Sequence, residues 1–209
     1  MKNVDIIILV ADLNIKECIH GLLQRLPAVL GVNSFSYEIF VHPNRDPGCR
    51  LYAASYLRGF QNRYKYALVV FDRDGSGREF SSRLEIETEL EKDLINSGWG
   101  NRAKAIVIEP ELENWIWVKS QRLAQIINWS DIDKLYDWLK SNNFVLNESN
   151  KPSSPKEAFE KALYISKKKR SSSIYAEIAS QVSFKHCTDQ SFNKLIDCIK
   201  IWFSNKYET

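Results

Sequence analysis

Cysteine is scarce in this chain and scattered: Cys18, Cys49, Cys187 and Cys198 form no CxxC pair, a spacing that speaks against both a disulfide framework and a zinc ribbon. His186 and Cys187 are adjacent but have no second pair to complete a metal site. Long apolar runs are missing as well. The longest span only a few residues, far below the roughly 20 that cross a bilayer, and the N-terminus enters a strand-like segment at once. Neither a transmembrane helix nor a signal peptide is therefore expected, no membrane partner is implied, and the expected compartment is the cytoplasm. No internal repeat is present, and the polar, loop-like stretch at 142–154 is the best candidate for a boundary.

The chain does hold a normal share of core-forming residues. With 209 residues, 44% hydrophobic and 26% charged, it has room for one sizeable core and a small appended region. The net charge of +3 is uneven: residues 150–209 carry eleven Lys/Arg against six Asp/Glu, a balance of +5, and the first 149 residues sum to −2. An acidic body with a basic tail fits a cation site beside a polyanion-binding surface, although solvated lysine faces are common.

The most informative stretch runs from Ala67 to Glu79. Its apolar half, Ala67 to Phe71, reads as a buried strand, and it ends abruptly in Asp72-Arg73-Asp74-Gly75. In an extended chain, residues two apart share a face, so Asp72 and Asp74 are expected to share a divalent cation, Mg2+ or Mn2+. Arg73, Arg78 and the glycines nearby offer charge and close backbone approach for a phosphate. Because Asp and Gly are also ordinary turn residues, the same stretch can be read as a plain strand-to-turn transition.

Around it the pattern alternates. Strands are predicted at 4–10, 35–41, 66–71 and 103–108, separated by helical segments from Asn14 to Leu26, about Arg50 to Gln61, and Ser82 to Gly98. Ser82 with Glu85 forms a capping-box signature. The loop His42-Pro43-Asn44-Arg45-Asp46-Pro47-Gly48 reads as irregular because of its Pro and Gly content. Strand and helix in alternation imply right-handed βαβ units and a parallel sheet covered on both faces. After Trp117 the pattern becomes helical, with starts at Ser130, Ser154-Pro155, Ser173 and Asp189. The expected fold is thus α/β: a mainly parallel four-stranded sheet flanked by helices over 1–118, and a helical C-terminal region over 119–209 that packs against it or stands apart.

If all strands are parallel, one sheet edge gathers Asp12, Asp46, Asp72, Asp74, Glu109, Glu111 and Glu113 with His42, Arg45, Arg73 and Arg78. Clustered carboxylates repel, and proteins that gather them commonly offset the repulsion with metal ions. Metal-assisted phosphoryl chemistry follows from such a set. The run Lys167-Lys168-Lys169-Arg170 can contact a nucleic-acid backbone or form a solvated helix end. The tryptophans Trp115, Trp117, Trp129, Trp138 and Trp202 read as core rather than as base-stacking platforms.

Residues 4–118 resemble the Toprim domain, shared by topoisomerases, bacterial primases and OLD-type nucleases and found in anti-phage defence proteins. The resemblance rests on the strand-ending Asp72-Arg73-Asp74-Gly75, which looks like the family's DxD motif, on the first strand followed by a helix, and on Glu111-Leu112-Glu113-Asn114-Trp115, which is similar to the acidic, tryptophan-bearing segment of small stand-alone members. It implies a metal-dependent nuclease, or the nuclease-like subunit of a prokaryotic defence system, acting on DNA or RNA. Asp12, Asp72, Asp74 and Glu111 would be catalytic, Asp72, Asp74, Asp12, Glu109 and Glu113 would hold Mg2+ or Mn2+, and Arg45, Arg73, Arg78 and Lys167 to Arg170 would bind phosphates. One departure stands out: the family's first strand ends in glutamate, and here Ala11 occupies that place with Asp12 one residue later. That departure keeps open a non-catalytic scaffold subunit that binds partner proteins of a defence complex. A haloacid-dehalogenase-like phosphatase, with Asp72 as nucleophile and Asp74 as acid/base, is a further alternative. Its motif belongs on the first strand of that fold, however, and here two strand-helix units precede it.

Overall fold

Val4–Val10 is aliphatic but for Asp5 because it lies in the middle of a parallel sheet with both faces covered. The computed structural model describes residues 4–185 and 187–204, so His186 lies outside the described residues. Its sheet has four strands, β1 (Val4–Val10), β2 (Tyr37–Val41), β3 (Tyr64–Asp72) and β4 (Ala103–Ile108), in the order β2-β1-β3-β4. Every pairing is parallel.

Helices α1 (Leu13–Leu23), α2 (Leu26–Leu30), α3 (Arg45–Leu57) and α4 (Arg83–Leu94) fill the crossovers. The chain steps from β1 outward to β2, then back past β1 to β3 and on to β4. This strand order reverses direction between β1 and β3, and in open parallel sheets the crevice at that point, outside the strands' C-terminal ends, is where ligands bind.

The predicted strands fall where the β-branched runs placed them, while the helix starts differ. Asp12, not Asn14, caps α1 by accepting the Ile15 N–H at 2.9 Å. Residues 45–48, expected to be irregular, form the first turn of α3. Pro47 is tolerated there because first-turn N–H groups have no intrahelical acceptor. Gly48 is needed because a Cβ would sit 2.1 Å from Nδ1 of the buried His42. Ser82 and Glu85 form the expected capping box on α4.

Beyond β4 come α5 (Glu113–Ile116), α6 (Gln121–Ile126), α7 (Ile132–Ser141), α8 (Pro155–Ile165), α9 (Ser172–Gln181) and α10 (Gln190–Phe203). Helix α9 packs on α1, and α10 packs on β4. Trp202 stacks on Tyr66 with ring centroids 4.5 Å apart, and Phe203 stacks on Phe35 at 4.3 Å. Buried side chains of the sheet and of the C-terminal helices form one continuous hydrophobic cluster, which includes Trp115 and Trp117.

β4 is an edge strand, and its exposed donors are closed by carboxylates. Glu87 and Glu91 of α4 accept the N–H groups of Val107 and Ala105 at 2.9 and 3.2 Å. Lys194 of α10 then bridges both glutamates at 2.9 and 2.7 Å. This arrangement removes the unpaired donors that would otherwise invite another strand. Among the described residues no helix is long and apolar enough to cross a membrane.

Candidate functional site: an acid crevice at the sheet's switch point

Register alone brings two carboxylates to the crevice. Val10 is opposite Val70, so Asp12 and Asp72, each two residues further on, emerge at the same height from the neighbouring strands β1 and β3. The pairing continues through the Ala11 N–H, which donates to the Val70 carbonyl at 3.2 Å. Asp46, in the first turn of α3, closes the crevice from another side by accepting the Asp72 N–H at Oδ1, 2.9 Å away.

Asp72 is the focus of the site. Its Oδ1 is buried without a hydrogen-bond partner. Burial pushes its carboxyl well above the usual carboxylate range, and the charges of Asp46, Glu113, Asp12 and Glu111 push it further. Burial likewise raises Asp46, against the opposing hydrogen bond from the Asp72 backbone. It raises Glu111 too. Two thiols beneath the crevice feel the same field: Cys18 is pushed up to about 12 by burial and by Glu113 and Asp72, and Cys49 is also raised. Both are inert as nucleophiles at neutral pH.

Asp74 is handled differently from Asp72. The strand ends at Asp72 and the chain turns at once, with the Ser76 N–H donating back to the Arg73 carbonyl at 3.1 Å. The two-residue period holds only while the backbone is extended, so Asp74 leaves the register of Asp72. Its side chain is 46% exposed and pairs with Arg73 at 3.1 Å. Arg73 also binds Glu109, so these three residues form an ion-pair cluster of their own.

Of the three glutamates after β4, Glu111 and Glu113 are held by the C-terminal helices. Glu111 accepts the Lys156 N–H at the start of α8, at 2.9 Å. Glu113 is buried, accepts the Tyr175 hydroxyl of α9 at 2.6 Å, and lies 3.7 Å from Arg170. The basic run thus splits: Lys167 to Lys169 belong to the α8–α9 connection, while Arg170 turns inward to Glu113, Glu160 and Tyr175.

Of the other arginines, Arg45 is exposed at the start of α3 in a left-handed conformation, φ 50°, and Arg78 is bound bidentately to Glu89 at 2.9 and 3.1 Å. His42 is structural. Its Nδ1 accepts the Asn44 N–H at 3.1 Å, and the ring packs against Tyr52 and Tyr56.

Three residues of the crevice were not visible as site residues in the sequence. Lys156 is half-exposed, with its Nζ 4.0 Å from Glu111, and its charge is felt by Asp46, so it stands at the crevice mouth. Tyr175 and Ser76 are fully buried. A Lys directly after the Ser154-Pro155 helix start was the available signal for the first; ordinary helix and turn composition conceals the other two.

Among the described residues, no group of three or more His, Cys, Asp or Glu side chains is arranged as a ready metal cage. A hard cation that keeps most of its waters needs only one or two carboxylates, and the orphaned Asp72 Oδ1 is an acceptor of that kind. Beside the crevice, Glu109, Asn114, Lys151, Asp189 and Ser191 line a polar cavity of about 300 Å³. In comparisons with protein-family models, curated proteins and solved structures, the chain matches nothing.

Proposed function

We propose that this chain is a Toprim-like, divalent-cation-dependent phosphodiesterase that acts on DNA or RNA, as a nuclease or nuclease-like subunit of a prokaryotic defence system. The observation that carries the reading is the Asp72 carboxylate: one oxygen buried without a partner, at the switch point of a parallel sheet, in the field of Asp46, Glu113, Asp12 and Glu111. So much negative charge in one crevice is costly unless a cation enters it.

Mg2+ or Mn2+ held at Asp72 would supply charge neutralisation and a more acidic water. The remaining work falls to the chain's own groups. Asp12 is held in place as the α1 cap. Glu111, its proton affinity raised by burial, is suited to take or return a proton. Lys156 at the mouth, and Arg45 on the exposed start of α3, are available to orient a phosphate.

The scaffold reading has observations of its own. Arg73 and Arg78 are already committed to carboxylates, and Ala11 stands where the family has its glutamate. A phosphatase using Asp72 as nucleophile is disfavoured, because its motif belongs on the first strand of that fold and Asp72 ends the third, β3.

Incubating the purified chain with plasmid, single-stranded DNA and tRNA in Mg2+ or Mn2+, beside Asp72→Asn, tests the proposal. Cleavage that needs both the cation and Asp72 is the expected result. Absence of cleavage of all three, together with partner-dependent complex formation, favours the scaffold.

A further inference from the structure

We propose that the divalent cation is shared by Asp72 and Asp46, with the Ser76 hydroxyl as a third oxygen, and that Asp74 of the DxD sequence is not a ligand. The inference rests on the cation-dependent reading above and specifies which residues make that site.

The starting observation is a coincidence of orphans. Among the described residues only two buried side-chain polar atoms lack a hydrogen-bond partner, Asp72 Oδ1 and Ser76 Oγ. They are four residues apart in one loop. Native interiors leave few such atoms unsatisfied, and each one calls for an explanation. A hydroxyl on a residue that is 0% exposed has no access to bulk water to make good the loss.

The backbone of the loop that carries both orphans is clasped onto the first turns of α3. At one end the Asp72 N–H donates to Asp46 Oδ1 at 2.9 Å. At the other, Arg50 Nε donates to the Ser76 carbonyl at 2.7 Å. Asp46 and Arg50 are i and i+4 on the helix and so share a face. Between them Gly75 approaches Asp46 closely: a Cβ there would lie 3.8 Å from Asp46 Oδ2. Its positive φ of 86° is one that a residue with a Cβ seldom adopts. Asp46 Oδ1 is committed to the backbone, which leaves Oδ2, the atom nearest Gly75, facing the loop that carries the two orphans.

Two carboxylates, one hydroxyl and retained waters form a normal oxygen set for a hard divalent cation. They also account for the lack of any three-carboxylate cage. Asp74, by contrast, is 46% exposed, and its Oδ1 is occupied by Arg73 at 3.1 Å.

The test is manganese binding to the full-length chain by calorimetry, with wild type, Asp46→Asn, Asp72→Asn, Asp74→Asn and Ser76→Ala. The expected result is a loss of about tenfold or more for Asp46→Asn and Asp72→Asn, a smaller loss for Ser76→Ala, and a change within about twofold for Asp74→Asn. Equal losses at Asp72 and Asp74 with full affinity in Asp46→Asn overturn the proposal and leave the cation-dependent reading standing. Wild type that binds no manganese overturns both. In case Asp46→Asn does not fold, Fe2+-driven hydroxyl-radical cleavage of the wild-type chain reads the site directly. Cuts near Asp46 and across 72–76 support the proposal, whereas cuts confined to 72–74 and 109–113 overturn it.

Discussion

Tyr175 donates its hydroxyl to Glu113 at 2.6 Å, joining a helix of the C-terminal region to the acidic segment that follows the last strand. Both groups are buried, so the bond fixes a charged side chain where water cannot replace the donor. Tyr175→Phe is expected to cost about 1–3 kcal/mol, the range for leaving a buried acceptor unsatisfied. Urea unfolding of the two proteins measures it. A cost near zero would mean that Arg170, 3.7 Å from Glu113, holds the carboxylate alone.

The acid crevice also makes a pH prediction for the metal-free protein. Asp72 and Asp46 have proton affinities raised above the ordinary carboxylate value, in each case first by burial. A raised folded-state pKa contributes stability that is fully present below the unfolded value, about 3.9, and is lost as pH rises through the folded value. Asp72→Asn removes that dependence at one position. Its melting temperature should therefore fall less than that of wild type on going from about pH 4 to pH 7, and Mn2+ should restore more stability to wild type than to the variant. Parallel melting curves for the two proteins across that window would refute the assignment.

Much of this architecture was legible beforehand, and the reason differs from element to element. Ile6–Val10 and Ala67–Phe71 are short apolar runs, rich in β-branched residues, on both faces, a pattern that fits a buried parallel strand, so the sheet and the emergence of Asp12 and Asp72 at one edge followed from it. Asp46 was expected at that edge too, but its place in the first turn of α3 was hidden, because Pro47 and Gly48 resemble loop punctuation; Pro is silent in a helix's first turn, and Gly48 makes room for His42, a tertiary reason. The period-2 rule does not carry on to Asp74, because β3 ends at Asp72, as the turn residues Asp and Gly in that stretch also allowed. Arg170 was invisible as a crevice residue, since nothing in a run of four basic residues says which one turns inward to a carboxylate.

The β4 edge makes a prediction independent of any ligand. Glu87 is buried, accepts the Val107 N–H, and neutralises Lys194 and Arg83 at 2.9 and 2.6 Å. Glu87→Ala takes the carboxylate from Arg83 and the acceptor from a strand donor, and leaves Lys194 with Glu91 alone, a loss expected to cost roughly 3 kcal/mol. Because the freed donor lies on an edge strand, the variant should also self-associate as concentration rises. Unfolding curves and gel filtration at several concentrations check both parts. Monomeric behaviour with native stability would show that Glu91 and Lys194 close the edge unaided.

Nucleic-acid binding offers the sharpest separation among the basic residues, because the structure divides them into committed and available. Arg78 is committed: Glu89 holds it through two hydrogen bonds. Lys156 is available, with its side chain 50% exposed beside Glu111 at the crevice mouth, and Lys167 to Lys169 are in the α8–α9 connection. Each phosphate contact releases condensed counterions, so the logarithm of affinity falls with the logarithm of salt by about 0.7 to 0.9 per contact. Replacing Lys156 by Gln should reduce that slope by about one contact, and replacing Lys167, Lys168 and Lys169 together should reduce it further, while Arg78→Gln leaves it unchanged. Fluorescence anisotropy with a labelled oligonucleotide at salt concentrations from about 50 to 200 mM resolves these differences. If the slope is indifferent to Lys156 and to the lysine run but falls with Arg78, then the strand of nucleic acid does not cross the mouth of the acid crevice, and the carboxylates there cannot be acting on its phosphates.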